Sequence, residues 1–197
     1  MSSDEPTLTA AVLVSGGGTT ALNLIEAQER GEIPVNIALV VAHRENVLAV
    51  SRCRAVGRRV VVLPGESSPA ASDRLDELLL EHGIELVLLA GYLRRLRVGP
   101  WAGRVLNIHP ALLPNFGGQG MYGQRVHDAV IASGARESGC TVHLVDDRYD
   151  HGETIVQRRV EVLPTDTSES LARRVFAEEC IAYPDAIRIW AQTHQAK

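Results

Sequence analysis

A chain of 197 residues, 45% hydrophobic and 22% charged, holds enough apolar material for one large globular core. A formal net charge of -4 and an isoelectric point near 6.0 exclude a broadly basic nucleic-acid surface. Cys53, Cys140 and Cys180 are spaced too widely for a zinc knuckle or a CxxC redox pair, and read as reduced thiols of a cytoplasmic protein.

Residues 1–8 read as a flexible start, because the first seven are polar and acidic and carry no basic region followed by an apolar one. No apolar run approaches the roughly 18 residues of a membrane span. Residues 10–14 form a short apolar strand that ends in Ser15, Gly16, Gly17, Gly18, Thr19 and Thr20, and a helix with Leu22, Ile25 and Glu26 follows. Strand, glycine loop and helix start make an anion site: glycines let the backbone approach closely, while free N–H groups and the helix dipole favour phosphate. A tight turn without a ligand is the plain alternative. The loop lacks the GK[ST] ending of a P-loop. Gly16-x-Gly18-x-x-Ala21 fits the loose dinucleotide pattern, yet the strand over residues 37–42 ends in His43 and Arg44 instead of an acid for the ribose. An NADP-binding oxidoreductase is therefore the runner-up.

A helix over residues 47–56 closes at Gly57, a strand over 59–63 meets a Pro64-Gly65 breaker, and Ser72 is placed to cap a helix carrying Leu75, Leu78 and Leu79. Asp73, Asp76 and Glu77 suit the positive end of that helix. The βαβαβ rhythm predicts a mostly parallel twisted sheet with helices on both faces, one Rossmann-like domain over residues 1–197. A buried strand over 86–90 then ends in Gly91, Tyr92, Leu93, Arg94, Arg95 and Leu96, a candidate pocket wall or a solvated connection.

The next strand, residues 105–108, carries an amide and an imidazole where apolar side chains are expected. Asn107 and His109 lie two apart, so both point to one face, and Pro110 ends the ladder where open α/β sheets hold their ligands. Four glycines among residues 116–123 require either a sharp bend near a ligand or mobility, and a helix through Val126, Ala129, Val130 and Ile131 follows. Residues 140–145 alternate as a strand with Thr141 and His143 on one face. A polar loop, residues 146–152, joins it to a strand over 154–162, an antiparallel hairpin near the C-terminal end. Asp166 and Glu169 have capping-box spacing ahead of a long helix that Pro184 is expected to kink. Asn107 is a neutral donor, His109 a proton shuttle near neutral pH and Asp150 a carboxylate able to orient the imidazole and raise its pKa.

With these residues laid out, the sequence resembles the folate-dependent phosphoribosylglycinamide formyltransferases of purine synthesis. The segments are VLVSGGGTT, LLAGYLRRL, GRVLNIHPALLP, GGQGMYGQRVHDAVIASGARESGCTVHLVDDRYDHG and RVFAEECIAYP, in the family's order over nearly the whole chain. The resemblance implies formyl transfer from 10-formyltetrahydrofolate to the amine of 5-phosphoribosylglycinamide, with Asn107, His109 and Asp150 as the catalytic set. Gly17, Gly18, Thr19 and Thr20 would hold the phosphate and Glu179 the ribose hydroxyls. Leu93, Arg94, Arg95, Leu96, Val145, Asp146 and Asp147 would cradle the folate, with Thr141 and His143 in support. Thr20, Phe176 and Pro69 depart from the residues many members carry. Small-molecule partners are expected, with no metal, no nucleic acid and no membrane, and a homodimer is left open.

Overall fold

The computed structural model describes residues 8–64 and 68–195. The loose start and Gly65 of the breaker fall outside them, except Leu8, which opens the first strand. In chain order the elements are β1 (Leu8–Val14), α1 (Thr19–Glu29), β2 (Val35–Ala42), α2 (Leu48–Ala55), β3 (Val60–Val62), α3 (Pro69–Glu81), β4 (Leu86–Ala90), β5 (Val105–His109), α4 (Gln124–Ser133), β6 (Glu137–Leu144), β7 (Thr154–Glu161) and α5 (Ser168–Gln195). One sheet holds all seven strands in the order β3-β2-β1-β4-β5-β6-β7. β1 to β5 pair in parallel, whereas β5-β6 and β6-β7 are antiparallel.

Pleating sorts the core into two layers. Ala10, Val12 and Val14 of β1 face the side covered by α1, α2 and α5, where Leu24, Ile25, Val50, Leu171 and Ile187 are buried. Ala11 and Leu13 face the other side, against Leu75 and Leu79 of α3 and the indole of Trp101. Tyr183 fixes α5 to the sheet: its buried hydroxyl donates to the carbonyls of Leu106 (2.9 Å) and Leu89 (3.1 Å). Among the described residues no helix is long and apolar enough to cross a membrane.

Three local expectations change. Ser68, one residue before Pro69, caps α3 by accepting the N–H of Ala71 at 3.2 Å; Ser72 lies inside the first turn and donates to the Ser68 carbonyl. Asp76 is buried in place of facing water, accepting the Trp101 indole N–H at 2.7 Å and the Arg97 guanidinium. Thr167 and Ser170 make the reciprocal cap of α5, each backbone N–H meeting the other's hydroxyl (3.0 and 3.2 Å), while Asp166 pairs with Arg174.

Candidate active site

The chain order of the strands reverses at β1 and β4, and the crevice outside their C-terminal ends is the ligand position of open α/β sheets. Beside it, the antiparallel register of β5 and β6 sets Asn107 opposite His143 and His109 opposite Thr141. All four side chains stand on the face away from Leu106, Ile108, Cys140 and Val142, which pack into the α1/α5 layer.

The protons of this group follow from its carbonyl partners. Nδ1 of His143 lies 2.7 Å from the Leu144 carbonyl, which can only accept, so Nδ1 carries the hydrogen and Nε2 of the neutral ring is an acceptor. Nδ2 of Asn107 donates to that Nε2 at 3.2 Å and reaches Oδ1 of Asp150 at 3.4 Å. His109, 3% exposed, meets the Phe116 carbonyl through Nε2 at 2.8 Å, so its exchangeable position is Nδ1, which faces Oδ2 of Asp150 at 3.4 Å. Oδ2 also accepts the Gly118 N–H at 2.9 Å.

Backbone conformation serves this cluster. Phe116 and Asp150 are the non-glycine residues of the described chain with positive φ, at 56° and 53°. One aims its carbonyl at His109 and the other its carboxylate, a placement of strain common at functional sites. A Cβ on Gly117 would lie 2.5 Å from Cδ2 of Leu113 and 3.2 Å from Cβ of Asp150, and one on Gly152 would lie 1.9 Å from the Leu144 carbonyl oxygen. Close approach to Asp150 and its loop therefore accounts for these glycines.

Burial works to raise the Asp150 carboxyl, but the neighbouring His143 and His109 imidazoles and the Gly118 N–H together hold it below the usual carboxylate value. His109 departs from expectation. Burial pushes the imidazole down and outweighs the upward influence of Asp150 and the Phe116 carbonyl, with His143 adding to the fall. Its net shift is downward because the ring is enclosed.

These residues line a cleft of about 630 Å³, within the range of small-molecule sites. Its walls include Leu93, Arg94, Arg95 and Leu96 after β4, and Val145, Asp146 and Asp147 after β6; Arg95 joins the two walls by donating to the Asp147 carbonyl at 3.0 Å. Met121, Tyr122 and Arg125 add a third wall, with the Arg125 guanidinium 5.0 Å over the Tyr122 ring. Thr141 works behind the wall: its hydroxyl donates to the Ala111 carbonyl (2.7 Å) and accepts from the Leu113 N–H (3.1 Å) and from Gln157 (3.0 Å).

The glycine loop and Glu179 are not among the residues lining this cleft. Gly18 precedes α1 at φ 78°, where a Cβ would lie 2.7 Å from Cα of Ala49, and no side chain caps the helix. Thr19 and Thr20 open the first turn. Gly16 accepts from the Ala49 N–H (3.0 Å) and Gly17 from Arg52 (2.8 Å), which leaves the uncapped N–H groups of α1 available to an anion. Glu179 sits half-buried on α5, and burial pushes its carboxyl up to about 7. After β2, where a ribose-binding acid would stand in a dinucleotide site, the chain has His43, whose Nδ1 meets Ser15 at 3.1 Å.

Sequence reasoning missed the Phe116 carbonyl, the Gly118 N–H, Ser15 and Gln157. Glycine density marked the first two as a region of unusual backbone; nothing in the sequence announced Ser15 or Gln157 as partners of distant loops.

A mostly parallel sheet with an amide, an imidazole and a carboxylate over the ends of its central strands defines the class: the chain belongs to the formyl transferase family, whose model matches residues 8–187. Among solved structures it is similar to glycinamide ribonucleotide transformylase 1 from Symbiobacterium toebii (TM-score 0.89, 35% identity, 96% of this chain and 90% of that one). It is also similar to phosphoribosylglycinamide formyltransferase from Bacillus halodurans (TM-score 0.85, 31% identity, 93% and 95%). The chloroplastic phosphoribosylglycinamide formyltransferase of Arabidopsis thaliana is 40% identical over 184 residues, 90% of this chain and 63% of that protein. The chain thus spans less than two thirds of the length of this plant relative.

Proposed function

We propose that this chain transfers a formyl group from 10-formyltetrahydrofolate to the glycyl amine of 5-phosphoribosylglycinamide in purine biosynthesis, as a cytoplasmic enzyme. The observation that carries the reading is the meeting of Asn107, His109 and Asp150 on one wall of a cleft whose other walls are apolar at Leu93, Leu96 and Val145 and polar in their backbone. Such walls suit a flat, partly apolar ring system held by backbone hydrogen bonds. Gly17, Gly18, Thr19 and Thr20 at the uncapped start of α1 suit the phosphate, and Glu179 the ribose hydroxyls.

Attack of a neutral amine on a formyl carbon turns the formyl oxygen into an oxyanion. Asn107 stabilises it as an uncharged donor, an effect of about 2.7–4 kcal/mol in acyl transfer. Its N–H toward Asp150, the longer of its two contacts at 3.4 Å, is the one that turns to the oxyanion. His109 takes the proton shed by the attacking nitrogen at Nδ1, because Nε2–H is engaged by Phe116. The lowered imidazole pKa leaves Nδ1 unprotonated and ready at neutral pH, and the Asp150 carboxylate 3.4 Å away holds the imidazolium once formed. The same proton then goes to the departing folate nitrogen, so acid and base roles alternate on one ring atom.

A tetrahydrofolate-release assay with phosphoribosylglycinamide beside other amines tests the proposal. Release dependent on the phosphorylated acceptor is the expected result. Equal release without any acceptor, or faster release with another amine, would overturn it.

A further inference from the structure

One hydroxyl joins three loops at the switch point of the sheet. Ser15 follows β1, His43 follows β2 and Leu93 lies just beyond β4, and β1 runs between the other two strands. The backbone N–H of Leu93 donates to Oγ of Ser15 at 2.9 Å. A serine oxygen that accepts there still has its own hydrogen to place, and Nδ1 of His43 lies 3.1 Å from it. We take Nδ1 as the unprotonated nitrogen of a neutral ring, the tautomer that lets it accept that hydrogen. His43 is buried at 9% exposure and stands edge-on to Tyr92, with ring centroids 6.3 Å apart. Leu93 itself is 54% exposed, so this anchor holds its backbone while the side chain projects at the cleft. Burial, then the charges of Arg94 and Arg44, keep the imidazole pKa below its usual value, which preserves the acceptor.

We propose that Ser15 is a positioning residue for the folate wall, with His43 setting the direction of its hydroxyl, so that the segment from Leu93 to Leu96 is held at the height the folate ring requires. The inference rests on the functional reading above and adds to it a residue outside the lining of the cleft. The tie spans the crevice from the phosphate side to the folate side, yet its load falls on one side only: the Leu93 N–H depends on Ser15, whereas the glycine loop has its own bonds to Ala49 and Arg52.

The test measures binding of tetrahydrofolate and of phosphoribosylglycinamide separately, by calorimetry, to the full chain and to Ser15→Ala, His43→Leu and His43→Asn. Asn keeps an acceptor at the δ position of the side chain; Leu does not. Ser15→Ala is expected to weaken tetrahydrofolate about tenfold, in line with stranding one donor, and to leave the ribonucleotide within about twofold. His43→Leu should follow Ser15→Ala, and His43→Asn should recover most of the loss. Amide hydrogen exchange at Leu93, read without any ligand, should quicken in Ser15→Ala. Equal weakening of both ligands, or His43→Asn as impaired as His43→Leu, would overturn the positioning role and leave the functional reading standing. Absence of tetrahydrofolate binding by the unmodified chain would instead bring down both.

Discussion

Asn107 donates through Nδ2 to Nε2 of His143 at 3.2 Å, and that bond decides which end of the amide faces which neighbour. The Leu144 carbonyl fixes the His143 tautomer and thereby requires the NH2 group of Asn107 on its side. His143→Ala frees the amide to rotate. We expect a loss of about tenfold to a hundredfold in turnover with KM for both substrates little changed, because the donor matters most when charge develops. Asn107→Asp replaces the donor by a second carboxylate beside Asp150 and should be more severe than His143→Ala. Initial rates at saturating substrates decide the order.

Gly117 is a steric necessity. The nearest atoms to an added Cβ are Leu113 Cδ2 at 2.5 Å and Asp150 Cβ at 3.2 Å, so Gly117→Ala displaces either the wall or the carboxylate. We expect about 1–3 kcal/mol of lost stability, typical of an overpacked site, together with a fall in turnover. Gly118→Ala, whose Cβ meets nothing within 4 Å but whose φ is 98°, should be disturbed through backbone strain alone. Urea unfolding and turnover of the two variants separate clash from strain.

Three buried histidines share one direction of titration. His43, His109 and His127 are each held below the usual imidazole value, with burial as the first cause. A base with a depressed folded pKa binds its proton more readily when unfolded. Stability is therefore full above the unfolded value of about 6.5 and is lost as pH falls through the folded values. Unfolding free energy should drop between pH 7 and 5, and His127→Phe, which removes a buried ring nitrogen without a partner at Nδ1, should flatten that slope. An unchanged slope in the variant would exclude His127 from the effect.

Glu179 works in the opposite sense. Its carboxyl is raised to about 7 from an ordinary 4.5. The folded state binds this proton more tightly, so the contribution is present below the unfolded pKa and is lost as pH rises through about 7. Glu179→Gln should remove that loss, and unfolding at pH 8 compared with pH 6 should show a smaller difference in the variant than in the unmodified chain. The same variant should raise the ribonucleotide KM if the carboxylate holds the ribose hydroxyls.

The order of elements, the parallel sheet, the antiparallel end and the shared face of Asn107 and His109 were all legible in the sequence, because hydrophobic periods and strand pleating are local properties. Cap positions were less so: Ser68 and Thr167 each displaced a candidate within four residues, since several hydroxyls near a helix start compete and packing selects one. What only the tertiary structure decided was pairing and enclosure. The β5-β6 register put His143 against Asn107, and positive φ at Asp150 turned its carboxylate toward Gly118 and His109. Sequence reasoning expected Asp150 to raise the His109 pKa, and the direction reversed. A neighbouring charge can be named from the sequence, whereas the desolvation that outweighs it exists only once folding has left His109 3% exposed.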